Sequence, residues 1–212
     1  MQQATRYFFG ILTSLILLGS AVTFAESPKI TDTEKAMFAP IKSVKTPRGV
    51  KAVQVKLGQQ LFHDKRLSKN HDISCNSCHT VTNYGVDGEP TSLGHKGHRG
   101  GRNSPTVMNA FAHLSQFWDG RAADVEAQAK GPVLNPGEMA MPSADAVVAT
   151  LNSIPGYVTT FKSAFPNEKT PVTYDNFAKA VGAFERQLST PSRFDRYLAG
   201  DEKALTEIEK LG

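Results

Sequence analysis

Cysteine is nearly missing from this chain. Two occur in 212 residues, so there is no second Cys-x-x-Cys pair at similar spacing, of the kind that often completes the four ligands of a tetrahedral zinc site. No segment joins β-branched residues with strict alternation, so there is no pattern for a sheet. There is no internal repeat. No block of Lys and Arg is interleaved with aromatics, and the charge balance is a mild +4, so nucleic acid is not an expected partner. The leading apolar run, Phe8–Leu18, falls short of the ~20 residues a membrane-spanning helix needs.

What is there is concentrated. Both cysteines fall in Cys75-Asn76-Ser77-Cys78-His79, the attachment pentad of a c-type haem. Two thioethers would fix the porphyrin, and the adjacent imidazole would take one axial position on the iron. A thioredoxin-like redox pair would need a βαβ pattern and a depressed thiol pKa, and neither pattern surrounds Ser74–Thr80. Residues 1–25 read as a secretory signal, with Arg6 as positive charge, Phe8–Leu18 as apolar core and Thr23-Phe24-Ala25 as cleavage site. An uncleaved anchor is the alternative. Export fits covalent haem attachment and an oxidising space, which in a bacterium is the periplasm, with no membrane association after cleavage.

About 187 residues remain after residues 1–25, which suits one domain, since single domains run to roughly 100–200 residues. Residues 26–48, interrupted by Pro28, Pro40 and Pro47, read as an extended lead-in. Val50, Val53, Leu57 and Leu61 then fall at helical spacing, in a helix that ends near Phe62-His63-Asp64. Asn83–Asn103 is glycine-rich and aperiodic, and reads as a long loop. Further helices are expected at Ala122–Lys130, closed by Gly131-Pro132, and at Ala144–Leu151, capped by Ser143. Two more follow at Gly156–Phe165 and Tyr174–Leu188. The last is capped by Thr173 and striped by Phe177, Val181, Phe184 and Leu188. The fold class is therefore mostly α: a cytochrome c-like helical haem domain with long loops over residues 49–200. The polar helical start at Ala204–Gly212 reads as a beginning, so more chain is expected after it.

Function turns on the iron's second side. The candidate groups are His63, His71, His95, His98, His113, Met108, Met139 and Met141, each of which singly reads as a surface histidine or a packed methionine. His95 stands out because Gly94 and Gly97 lower the cost of rearranging its backbone. Trp118, the sole tryptophan, reads either as core packing with a bonded indole N–H or as an aromatic between redox centres. Glu138 lies in an apolar, proline-bounded turn. It reads either as a solvated charge or, if buried beside iron, as a proton shuttle for peroxide, with Gln128 as an uncharged hydrogen-bond partner.

These pieces together resemble the bacterial di-haem cytochrome c peroxidases. The resemblance rests on Leu57-Gly58-Gln59-Gln60-Leu61-Phe62 with Leu67-Ser68, on Ile73–His79, and on Ser92-Leu93-Gly94-His95. It continues through Arg102-Asn103-Ser104-Pro105-Thr106-Val107-Met108-Asn109, Gln116–Arg121, Gln128–Pro132, Glu138-Met139 and Phe194–Leu198. It implies reduction of hydrogen peroxide to water with electrons from a small cytochrome c or copper protein, by a periplasmic homodimer. It makes His79 the proximal ligand and His95 a displaceable distal one. Glu138 and Gln128 become the peroxide-handling pair, Trp118 the aromatic between two haems, and Asn103 a calcium ligand. The chain departs from the family by lacking a second haem pentad, so residues 201–212 read as the start of a missing second haem domain. Two other readings stand beside the peroxidase: a mono-haem electron-transfer cytochrome without enzymatic activity, and a methylamine-utilisation-type oxidase of a partner protein. Glu138 with Gln128 favours peroxide chemistry over pure transfer, because a carrier has no use for a proton-handling carboxylate.

Overall fold

The computed structural model describes residues 30–45 and 48–211. The expected signal over residues 1–25 lies outside them. Among the described residues the regular structure is helical, with two isolated β-bridges. The longer helices are α2 (Val50–His63), α4 (Val125–Leu134), α5 (Ala144–Asn152), α6 (Pro155–Ala164) and α7 (Tyr174–Glu185). Shorter ones are α1 (Asp32–Ala36), α3 (Cys75–Cys78), α8 (Arg193–Leu198) and α9 (Glu207–Leu211).

The apolar spacings close the core as their periodicity requires. Leu57 and Leu61 of α2, Val147 and Leu151 of α5, Phe161 of α6, and Phe177 and Val181 of α7 are all fully buried. Each such side chain contributes about 1.5–3 kcal/mol relative to exposure. α7 is the central element, packed along α2 and against α4, while α6 lies across α2. Gly58 sets the α2–α7 distance, since a Cβ there would stand 1.8 Å from the Ala180 carbonyl oxygen. The caps hold where local sequence placed them. Ser143 accepts from the Ala146 N–H at 3.1 Å and Thr173 from the Asn176 N–H at 3.1 Å.

Four boundaries differ from expectation by more than one residue. α4 starts at Val125 and not at Ala122, because the Asp124 side chain caps it by accepting from the Ala127 N–H at 2.8 Å. The lead-in contains a helical turn, α1, because Thr31 and Glu34 form a reciprocal cap: the Thr31 N–H and hydroxyl donate to Glu34 and the Glu34 N–H donates back. Gly131-Pro132 does not end its helix but lies inside the last turns of α4. That helix closes instead at Asn135, whose N–H reaches the carbonyls of Gly131 and Pro132. α7 ends at Glu185, and Leu188 follows in a turn through a bond from its N–H to the Glu185 carbonyl.

The long connection between α3 and α4 is ordered by hydrogen bonds that anchor it to itself and to the helical body. The Leu93–Arg99 bridge makes a tight loop with His95 at its tip, and the Gln116–Ala122 bridge does the same for Trp118. Asn109, at φ 59°, ties the connection to the stretch after α7. Its N–H donates to the Leu188 carbonyl, and its side chain exchanges bonds with Thr190.

Candidate functional site

Between the helical body and this connection lies a cavity of about 480 Å³, within the range of small-molecule and cofactor pockets. Its wall carries Cys75, Cys78 and His79 from the pentad, Gln128 from α4, Glu138 from the turn after it, and Trp118 and Asn103 from the connection. Seven of the eight residues to which the family resemblance gives a role thus converge on one space, and of the other axial candidates Met139 joins them on the wall while His63, His71, His98, His113, Met108 and Met141 do not.

α3 is a single turn with a reciprocal cap, Ser74 with Ser77. It sets both thiols and the imidazole on one short arc of chain. Burial pushes the Cys75 thiol up to about 12, helped by the charge of Glu185, and burial likewise raises Cys78. These are neutral thiols, unlike the low-pKa thiol of a dithiol redox pair. His79 Nδ1 lies 3.0 Å from the Pro105 carbonyl oxygen. A carbonyl can only accept, so Nδ1 carries the hydrogen and Nε2 keeps its lone pair, the tautomer a metal ligand needs. Burial lowers the imidazole's pKa and keeps it neutral.

Glu138 is half-buried. Burial raises its pKa, while Arg121 and the Asn135 side chain oppose the shift. Asn135 Nδ2 donates to Glu138 Oε1 at 2.8 Å, and Asn135 Oδ1 accepts from the Gly137 N–H at 2.9 Å. One amide therefore locks the turn and aims the carboxyl. Glu138 thus stands between the solvated and the buried readings, partly shielded and held by Asn135.

His95 is the exception to convergence. It is buried, but beside the cavity and not on its wall, and its Nδ1 has no hydrogen-bond partner among the described residues. Its N–H donates to the Glu138 carbonyl at 2.8 Å. A Cβ on Gly94 would lie 2.0 Å from the Gly137 carbonyl oxygen, so the His95 and Glu138 turns lean on each other. Lys96 and Gly97 both take positive φ, which shows the tight backbone that the glycines permit.

Trp118 is not core packing: it is 64% exposed at its loop tip. The indole N–H does find a partner, the Asn103 carbonyl at 2.8 Å. The Asn103 side chain donates to the Glu89 carbonyl at 2.9 Å. No group of three or more His, Cys, Asp or Glu able to hold a metal occurs among the described residues. Next to Trp118, Phe117 adopts φ 65°, a strained conformation for a bulky residue. The Arg121 guanidinium lies 3.4 Å from the centre of the Phe117 ring. Arg102 and Arg121 both pair with Asp119 and hold its carboxyl well below the usual range.

Sequence reasoning missed Arg121 and Glu185 on the cavity wall. The signal for Glu185 was present, because it stands four residues after Val181 on the apolar face of α7.

The residues present fit a c-type haem. A pocket of suitable size is bordered by two neutral thiols and an imidazole in the metal-binding tautomer, with an unpartnered histidine nitrogen buried nearby.

Comparison with known proteins agrees. Residues 52–203 match the family model described as di-haem cytochrome c peroxidase. The cytochrome c551 peroxidase of Pseudomonas aeruginosa is 47% identical over 93% of this chain and 58% of its own length. The cytochrome c551 peroxidase of Nitrosomonas europaea is 43% identical over 95% of this chain and 58% of its own. The chain thus spans a little over half the length of these curated relatives. Among solved structures, a MauG-like protein associated with microbial copper homeostasis superposes with a TM-score of 0.65 at 31% identity, over 85% of this chain and 51% of that one.

Proposed function

Since this chain belongs to the di-haem cytochrome c peroxidase family, we propose that it forms the peroxide-reducing haem domain of a periplasmic enzyme that takes electrons from a small cytochrome c or copper protein. The observation that carries the proposal is Glu138, a half-buried acid aimed by Asn135 into the wall that also holds Cys75, Cys78 and His79.

Cys75 and Cys78 would hold the haem by thioethers, and His79 would bind its iron through Nε2. The haem supplies an iron that passes electrons to peroxide. The rest of the work belongs to the chain. Peroxide reduction consumes two electrons and two protons and releases two waters, so a group must move a proton from one peroxide oxygen to the other. Glu138 does this: its carboxylate accepts the proton of one oxygen and returns it to the other, which leaves as water. Gln128, with no side-chain hydrogen bond among the described residues, orients peroxide through its amide. His95 serves as a displaceable ligand, and its unpartnered Nδ1 and glycine-flanked turn support that role. Trp118 lies at the face toward a second haem domain, whose partner residues, with Asn103, would complete a calcium site. No helix among the described residues is long and apolar enough to cross a membrane.

A second reading, oxidation of a partner protein in the manner of the methylamine-utilisation type, draws support from the MauG-like structural neighbour. Trying both substrates on the wild type separates the two, and one substitution tests the part played by Glu138. Glu138→Gln in the haem-loaded protein is expected to lower peroxide turnover by about 10²–10⁴-fold, with covalent haem content unchanged. Peroxide turnover at the wild-type rate removes Glu138 from the mechanism. Negligible peroxide turnover in the wild type, with oxidation of a partner protein intact, favours the second reading.

A further inference from the structure

Glu185 has no task in that reading, yet it is the most deeply buried acid on the cavity wall. It ends α7, four residues after Val181, and is only 5% exposed. Among the described residues its carboxylate accepts no hydrogen bond and forms no salt bridge. Burial pushes Glu185 up to about 8, with the charge of Glu126 adding to the shift and Arg186 opposing it, so its carboxyl gains and loses a proton not far from neutral pH.

The surroundings give that proton a route and a reason to move. On the outer side, Glu126 of α4 pairs with Arg186 through both carboxylate oxygens. It lies across Gly182, where a Cβ would come within 2.5 Å of its Oε1. The Glu126 side chain is 27% exposed, so this corner reaches water. On the inner side, Cys75 of α3 feels the charge of Glu185. α2 brings His63 against the neighbouring Phe184, with ring centres 6.1 Å apart. α5 carries Asp145 as its sole charged residue, in its first turn, and the turn Ala110–Ala112 carries none.

We propose that Glu185 is a redox-linked proton site, which takes up one proton from solvent by way of the Glu126 corner when the haem held at Cys75 and Cys78 gains an electron, and releases it when that electron leaves. The proposal rests on the haem reading given above. The electron comes from the redox-protein donor and the proton from water. One O–H bond forms at Glu185, and the net charge of the buried site is unchanged. The physical cause is electrostatic: an added electron in a low-dielectric interior disfavours a nearby carboxylate and so favours its protonated form.

The test is a redox titration of the haem-loaded protein at a series of pH values, for wild type, Glu185→Gln and Glu126→Gln. Protonation favoured in the reduced state makes the midpoint potential of wild type fall as pH rises, by up to about 59 mV per tenfold change in proton activity for one proton per electron. Glu185→Gln should flatten that slope. Glu126→Gln removes a negative charge beside Glu185 and should move the sloping interval to lower pH. A wild-type potential independent of pH, or a slope that persists in Glu185→Gln, overturns the proposal. If Glu185→Gln does not mature, the other measurements decide. An unmoved interval in Glu126→Gln, or no protonated-carboxyl band in wild-type redox infrared difference spectra, overturns it as well. Failure of the haem reading looks different, because no haem would then travel with the chain in denaturing electrophoresis.

Discussion

The helical part of the cavity wall and the looped part are built by different physics. α2, α4 and α7 present Phe62, Gln128 and Glu185 from helices whose other side chains are sunk in a common apolar core. The connection from His79 to Asp124 presents Asn103, Trp118 and Arg121 from a chain with little core of its own. It is held by backbone bridges, by side chains bonded to carbonyls, and by positive φ at Tyr84, Lys96, Asn109 and Phe117. Burial fixes the first part, and directional bonds fix the second. The two parts should therefore answer differently to equivalent substitutions.

The largest effect belongs to the helical part. Phe177→Ala empties a fully buried site in the first turn of α7, beside the stacked Tyr174 ring at 5.5 Å. Such truncations cost about 3–5 kcal/mol. Thermal or denaturant unfolding should show that loss, and haem incorporation should fall with it. A loss under about 1 kcal/mol would mean that α7 is not the keystone of the core.

A matched pair of glycines sharpens the contrast. Gly58→Ala and Gly94→Ala each drive a methyl into a carbonyl oxygen, at 1.8 and 2.0 Å respectively. At Gly58 the obstacle is the backbone of α7, and two packed helices must part, an overpacking cost at or above the upper end of about 1–3 kcal/mol. At Gly94 the obstacle is again backbone, the Gly137 carbonyl of a turn locked by Asn135, but the loop that carries Gly94 belongs to no packed helix and is the side that gives way. Gly94→Ala should thus leave the unfolding midpoint nearly in place while displacing His95, read as a change in the spin state of the oxidised haem spectrum. Equal destabilisation by the two variants would erase the distinction between the parts.

That contrast also explains what could be read before the structure was known. The helices of the core were legible because their signals are local. Val53, Leu57 and Leu61 repeat at helical spacing, and Ser143 and Thr173 cap by reaching three residues ahead. The end of α4 was not, because Pro132 is tolerated inside its final turns by the closing bonds at Asn135. The pentad was legible as chemistry, whereas the Pro105 carbonyl that selects the His79 tautomer lies 26 residues away in sequence. Burial is a tertiary property, so no local pattern could place Trp118 outside the core or decide that Glu138 is shielded. Glu185 was hidden differently. Its position on the apolar stripe of α7 was visible, but Phe184 beside it fitted the core pattern and took its place in the reading.

The smallest expected effect tests the looped part by itself. Trp118 is largely exposed, so little burial is lost on replacing it, and the group it contributes is the indole N–H bonded to the Asn103 carbonyl. Trp118→Phe keeps a ring and removes that donor. A typical intramolecular hydrogen bond contributes about 0.5–1.5 kcal/mol, and an exposed acceptor such as the Asn103 carbonyl can turn to water instead. The unfolding free energy should consequently change by less than about 1 kcal/mol. Local order should change more, because this one bond spans two segments, carrying Asn103 and Trp118, that otherwise meet through the exposed Arg102–Asp119 pair. Amide hydrogen exchange should quicken around Asn103 and Trp118 and stay unaltered in α2 and α7. Faster exchange reaching into those helices would show that the loop is part of the core's cooperative unit, and the division between a buried scaffold and a hydrogen-bonded rim would fail.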